Sequence, residues 1–219
     1  MTAQPPSPAG LFLVFDGPDG SGKTTQFNRY AEWCRSRGVD VEQVREPGGT
    51  SIGEQIRSML LDCGNVEMTV PCELFLYMAS RSQLVRDVIN PAIERGALVL
   101  ADRFISSTLA YQGTAGGVSQ EDILATGEIA LGGRWPDCVV IFDVDGETAA
   151  ARRSDAPDRM EGKGEAFHQR VRQGYLDQVA ASPEKTILVD ASGDEDEVFA
   201  LLVSALDAWM VEHPREPAG

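Results

Sequence analysis

Lysine is scarce in this chain: Lys23, Lys163 and Lys185 are the only three in 219 residues. Basic residues together number 19 against 34 acidic ones, for a net charge of -15. Proteins that coat DNA or lie on anionic membranes carry a basic face, so this balance argues against nucleic acid and membrane as partners. A nucleotide needs only a local cluster of cations, and that possibility stays open. We read the acid excess as solubility or a salt-adapted host. Cysteine is sparse as well. Cys34, Cys63, Cys72 and Cys138 show no C-x-x-C spacing and no nearby pair of histidines, which argues against a zinc site or a redox motif. Thiols in a reducing compartment are the expectation. No apolar run reaches membrane-span length, and the Pro/Ala/Ser-rich first ten residues lack the apolar segment of a signal peptide. A cytoplasmic location is expected.

What remains is the composition of an ordinary globular protein, 42% hydrophobic and 24% charged, long enough for one substantial core. Five short apolar runs recur at 11–16, 39–45, 97–102, 138–144 and 186–190. They show little polar alternation, as expected of strands buried on both faces. Helical patterns separate and follow them at 24–37, 51–61, 71–89, 119–131, 165–180 and 194–210. Pro71 suits a first helical turn, Gly38 a stop, and Ser119 with Asp122 a capping box. Alternating strands and helices predict an α/β fold with a parallel sheet covered on both faces. One domain over 11–212 is expected, with a disordered tail at 1–10 and a C-terminal tail at 213–219.

The loop after the first strand reads Gly17-Pro18-Asp19-Gly20-Ser21-Gly22-Lys23-Thr24 and leads into a helix. Strand, glycine-rich loop and helix together are the context of a P-loop. Glycines let successive backbone N–H groups point inward at a helix N-terminus, where the dipole also favours an anion. Lys23 can follow the β- and γ-phosphates, and Thr24 offers a hydroxyl to Mg²⁺. Gly17, Pro18, Asp19, Gly20, Ser21, Gly22, Lys23, Thr24 and Thr25 are thus the predicted ATP side, with Mg²⁺ as the cofactor. No Asn-Lys-x-Asp run is present, which argues against a GTPase. Arginines on separate segments (Arg45, Arg57, Arg81, Arg103, and Arg152, Arg153 and Arg159) suit a second anionic substrate.

Several runs are more discriminating than the P-loop. They are Arg45-Glu46-Pro47-Gly48-Gly49-Thr50, Tyr77-Met78-Ala79-Ser80-Arg81-Ser82-Gln83, and the run from Asp102-Arg103 to Ala110-Tyr111-Gln112-Gly113. Through them the chain resembles the thymidylate kinase family over nearly its whole length. The resemblance implies a three-layer P-loop kinase fold: a five-stranded parallel sheet of order 2-3-1-4-5, flanked by helices and carrying a lid at about 152–164. It implies in-line transfer of the ATP γ-phosphoryl to dTMP, and a homodimer.

It also implies roles. Asp102 would lie near the metal, through water, and the attacking phosphate, with Arg103 on the dTMP phosphate. Asp19 would meet the deoxyribose 3′-hydroxyl, and Tyr111 would obstruct a ribose 2′-hydroxyl. Tyr77 and Arg81, at i and i+4, share a helix face; one would stack on thymine and the other hydrogen-bond to it. Gln112 would read the base edge, since an amide offers donor and acceptor. Ser107, Thr108 and Pro47 would line the same pocket, and Arg45 would reach a phosphate. Arg57 is either a second phosphate contact or a helix-face charge. Asp16 stands where the family usually has Glu and is a further metal- or substrate-side candidate. The P-loop has no arginine, so a lid arginine is expected to stabilise the transferring phosphoryl. Arg153 and Arg159 are the candidates, with Arg152 in reserve.

Overall fold

The computed structural model describes residues 7–152 and 158–214. In chain order the elements are β1 (Phe12–Asp16), α1 (Lys23–Arg35), β2 (Val41–Arg45), α2 (Ser51–Leu61) and α3 (Val70–Leu84). A π-helical stretch, Val85–Ile89, joins α3 to α4 (Asn90–Glu94), and β3 (Leu98–Asp102) follows. Next come α5 (Ile105–Thr108), a second π stretch (Leu109–Thr114), α6 (Gln120–Leu131), β4 (Cys138–Asp143) and α7 (Gly146–Ala151). A 3₁₀ turn at Glu161–Lys163, α8 (Glu165–Ala181), β5 (Thr186–Asp190) and α9 (Glu195–Glu212) complete the described chain.

The five strands form one parallel sheet of order β2-β3-β1-β4-β5, the topology expected. Alternation along β1 divides the core in two. Leu13 and Phe15 pack with Tyr30 of α1 and Leu202 and Leu206 of α9, while Phe12 and Val14 face Leu74, Leu84 and Ile123 of α3 and α6. That gives helices on both faces. A third cluster joins Tyr111, Met160, Phe167, Val171 and Tyr175 beside the sheet's carboxyl edge.

Register brings the functional ends level. Asp102 pairs with Phe15 on one side and Arg45 on the other, so three loops leave the sheet at the same height. In open α/β sheets that edge is where ligands bind.

Three differences from the sequence reading have physical causes. The helix expected to stop at 89 runs on through Pro91, because the π stretch widens the turn in front of a residue that cannot donate an N–H. Residues 105–114 are helical although no periodic pattern announced them. The expected tails are partly structured. Leu11 N donates to Pro8 O, Pro8 is buried, and His213 stacks on Trp209 at 4.9 Å.

Candidate active site

Five helices open with a side-chain cap: Thr50 before α2, Thr69 before α3, Ser119 before α6, Asp145 before α7 and Asp194 before α9. The helix after the P-loop does not. Its N-cap is Gly22, at φ 78°, with no side-chain acceptor for the first N–H groups. Those donors are left for an anion. Gly17 and Gly20 also have positive φ, and a Cβ on either would collide with backbone, that of Phe142 and Ala149 respectively. Ser21 Oγ is buried with no partner among the described residues. An orphaned hydroxyl inside a cradle of free N–H groups fits a polyanion. Burial, and after it Arg103, pulls the Lys23 ammonium below its usual pKa, with Asp19 and Asp102 opposing. Thr24 Oγ1 lies 3.3 Å from Asp102 Oδ2, so the two predicted metal-side groups do meet. Among the described residues no group of three His, Cys, Asp or Glu side chains could hold a metal. An ion there would depend on phosphate oxygens, as Mg²⁺ commonly does.

Across Asp102 from the P-loop lies a cavity of about 220 Å³. Asp19, Lys23, Thr24, Arg45, Pro47, Arg57, Tyr77, Arg81, Asp102, Arg103, Ser107, Thr108, Tyr111 and Gln112 all line it. Residues from Asp19 to Gln112 thus converge on one space.

The walls are held by interlocked charges. Arg81 is 1% exposed. Its Nε lies 2.7 Å and 2.9 Å from the two oxygens of Glu46, and its Nη2 donates to Thr108 Oγ1 at 2.9 Å. Burial pushes the Glu46 carboxyl up to about 7, against the pull of Arg81. Arg103 is the one described non-glycine residue with positive φ, 68°, a conformation that survives only where surroundings over-determine it. They do: its guanidinium meets Asp16, Asp19, Ser107 Oγ, Tyr175 Oη and Gly17 O. Tyr111 Oη donates to Asp19 Oδ2 at 2.8 Å. Burial works against the charge of Asp19, but Arg103, Lys23 and Tyr111 together hold its pKa well below the usual carboxylate range.

Several expected site residues have partners within the protein. Asp16 is fully buried and accepts from Gly17 N, Arg103, Ser106 Oγ, Ser107 Oγ and Tyr175 Oη. Four of the five donors meet Oδ1, and through it Asp16 anchors Arg103. Arg159, a candidate for stabilising the phosphoryl, is bonded within the protein. Its Nε donates to Leu60 O at 2.8 Å and its Nη1 to Glu73 at 2.6 Å, and it does not line the cavity. Arg152 donates to Ala191 O at 3.0 Å. Arg153 lies outside the described residues. Arg57 turns inward, bonded to Pro47 O at 2.9 Å, which favours the pocket over the helix-face alternative. Arg45 is more exposed and pairs with Glu54.

The sequence reading passed over Glu46, Glu73, Ser106 and Tyr175. Glu73 stood one helical turn before Tyr77, a spacing that could have flagged it. Glu46 sat inside a motif already singled out. Tyr175 meets Asp16 from 159 positions away, and no local pattern could have found it.

Known proteins are similar to this chain in sequence and fold. The family model described as thymidylate kinase matches residues 15–202. The chain is 42% identical to a thymidylate kinase from an Exiguobacterium species over 210 residues, covering 93% of this chain and 99% of that protein. It is 44% identical over 200 residues to one from Deinococcus radiodurans, covering 90% and 96%. The crystal structure of thymidylate kinase from Ehrlichia chaffeensis matches with a TM-score of 0.75 at 29% identity, over 90% of this chain and 98% of that one. With a family model spanning most of its length and relatives above 40% identity across nine-tenths of it, the chain belongs to the thymidylate kinase family.

Proposed function

We infer that this protein transfers the γ-phosphoryl of ATP to the 5′-phosphate of dTMP, releasing dTDP and ADP. The observation that carries the reading is a single cavity in which the Tyr77, Arg81 and Gln112 set meets Asp102, Arg103 and the P-loop lysine. A base, a sugar and a phosphate each have matching groups there. Tyr77 offers a ring face, Arg81 and Gln112 offer polar edges, and Asp19 accepts from the 3′-hydroxyl. The Tyr111 hydroxyl, tied to Asp19, occupies the side where a 2′-hydroxyl would project.

The acceptor already carries an anionic oxygen, so no general base is needed. Catalysis is positioning and charge neutralisation. Arg103, fixed by Asp16 and Tyr175, holds the acceptor phosphate, with Arg45 and Arg57 along its path. The P-loop N–H groups and Lys23 hold the donor phosphates. Thr24 and Asp102 would hold Mg²⁺, which when bound shields charge on the donor phosphates. Arg153 is the arginine we assign to the transferring phosphoryl, since Arg159 is committed to Glu73.

ADP release measured with dTMP, dUMP, dCMP, dAMP and dGMP tests the reading. dTMP should give the highest kcat/KM, and a better acceptor among the other four contradicts the assignment. We also propose a homodimer. Helices α2, α3 and α6 leave Met59, Phe75 (62% exposed) and Ile129 (85% exposed) on their outer faces, an apolar set that a second copy would cover. Sedimentation should give twice the chain mass of 23.7 kDa, and a monomer at micromolar concentration contradicts it.

A further inference from the structure

Glu73 lies in the first turn of α3 and is 1% exposed. Neither base stacking nor phosphate binding calls for a carboxylate there, and burying one is costly unless it is paired. It is paired twice over. Its Oε1 accepts from Arg159 Nη1 at 2.6 Å and from Lys163 Nζ at 2.7 Å. Its Oε2 accepts from Gln112 Nε2 at 3.0 Å. Burial opposes its charge, but the bonds from Lys163, Arg159 and Gln112 outweigh it and hold the carboxyl below its ordinary value. An ionised carboxylate has no proton to give, so Gln112 can turn only its NH₂ edge toward Glu73. The opposite edge of the amide, its carbonyl, is then left to meet a ligand in the cavity that Gln112 lines.

We propose that Glu73 is a positioning residue that locks the Gln112 amide as an acceptor for the ring N3–H of a 4-keto pyrimidine, and so couples base recognition to the 158–163 segment that supplies Arg159 and Lys163. The inference rests on the acceptor assignment above. Cytosine presents a bare ring nitrogen at that position, itself an acceptor. Binding it by the same edge would require the amide to flip, which sets the Gln112 carbonyl against the Glu73 carboxylate. The bond to Glu73 then breaks, and the carboxylate that anchors Arg159 and Lys163 loses its third donor. With the correct base, the N3–H bond polarises the amide and strengthens its bond to Glu73. Selectivity against a 4-amino base is thus backed by two cations on the far side of Glu73.

Glu73→Gln keeps the shape but can donate as well as accept, so it frees the amide of Gln112 to face either way. Steady-state kinetics on dTMP and dCMP read the result. The preference for dTMP in kcat/KM should fall about 10-fold or more, within the worth of one mismatched buried hydrogen bond. The kcat on dTMP should fall too, because Arg159 and Lys163 lose their charged partner. A merely structural role would lower both substrates together, and an unchanged ratio overturns the proposal. Should the variant not fold, hydrogen exchange of the wild-type 158–168 amides decides. dTMP alone should slow exchange and saturating dCMP should not; equal protection by both overturns it. Wild-type protein inactive on dTMP defeats the function assignment and this inference together, whereas an active wild type with an unchanged ratio in the variant defeats only the inference.

Discussion

The two halves of the site are finished to different degrees. On the acceptor side nearly every polar group already has its partner: Asp16 takes five donors, Arg81 is clasped by Glu46 and Thr108, and Glu73 takes three. On the donor side groups stand open. Ser21 Oγ is buried without a partner among the described residues, α1 begins uncapped, and Lys23 comes no nearer to Asp19 than 3.7 Å. The contrast follows from what each half must do. Reading a base edge depends on the direction of hydrogen bonds, so the readers must be clamped before the base arrives. Holding a triphosphate depends on charge and N–H density, which Lys23 and the uncapped start of α1 supply.

Substitutions can break this contrast, and the largest effect is expected on the donor side. Arg153→Ala should lower kcat about 10³-fold, the low end for an arginine that stabilises a transferring phosphoryl, while leaving dTMP affinity nearly unchanged. An unaltered kcat would remove Arg153 from that role. On the acceptor side the expected loss is in folding. Glu46→Ala strips the partner from a buried guanidinium and should cost about 3–5 kcal/mol in urea denaturation. A loss below about 1 kcal/mol would mean that Arg81 is not clamped in the way its geometry indicates. The smallest effect sharpens the comparison. Ser21→Ala removes a buried hydroxyl that no group among the described residues satisfies, so stability should change by no more than about 0.5 kcal/mol or rise slightly. ATP affinity should fall while dTMP affinity holds. If stability falls by several kcal/mol, the donor half is as interlocked as its neighbour.

The same division explains what could be read from the sequence. The P-loop is contiguous, its chemistry depends on backbone, and its eight residues announce themselves in order. Strands also declared themselves, because β1, β3 and β4 are apolar runs buried on both faces; β5 has the predicted bounds, and the others start or stop within two residues of theirs. Arg81, Gln112 and Tyr77 were nameable because their motifs are short. Their supports were not. Glu46, Glu73 and Tyr175 act through partners 35 to 159 positions away, and no local spacing marks a carboxylate as buried. Residues 105–114 escaped for a different reason. A single α turn passes into π geometry at Leu109–Thr114, which breaks the 3.6-residue period that a longer helix would show, and it is this stretch that turns Tyr111 and Gln112 into the cavity wall. Arg159 was legible only in part: an arginine in a polar, glycine-containing segment reads as mobile, yet it is anchored by Glu73 and Leu60.

In this geometry the acceptor pocket is complete before the donor nucleotide binds. Calorimetric titration of dTMP into the protein without ATP or Mg²⁺ tests it most directly. One dTMP should bind per chain, with dCMP weaker by about 10-fold or more, as expected of a fixed hydrogen-bond pattern. No dTMP binding until an ATP analogue is added, or equal affinity for dCMP, would contradict it.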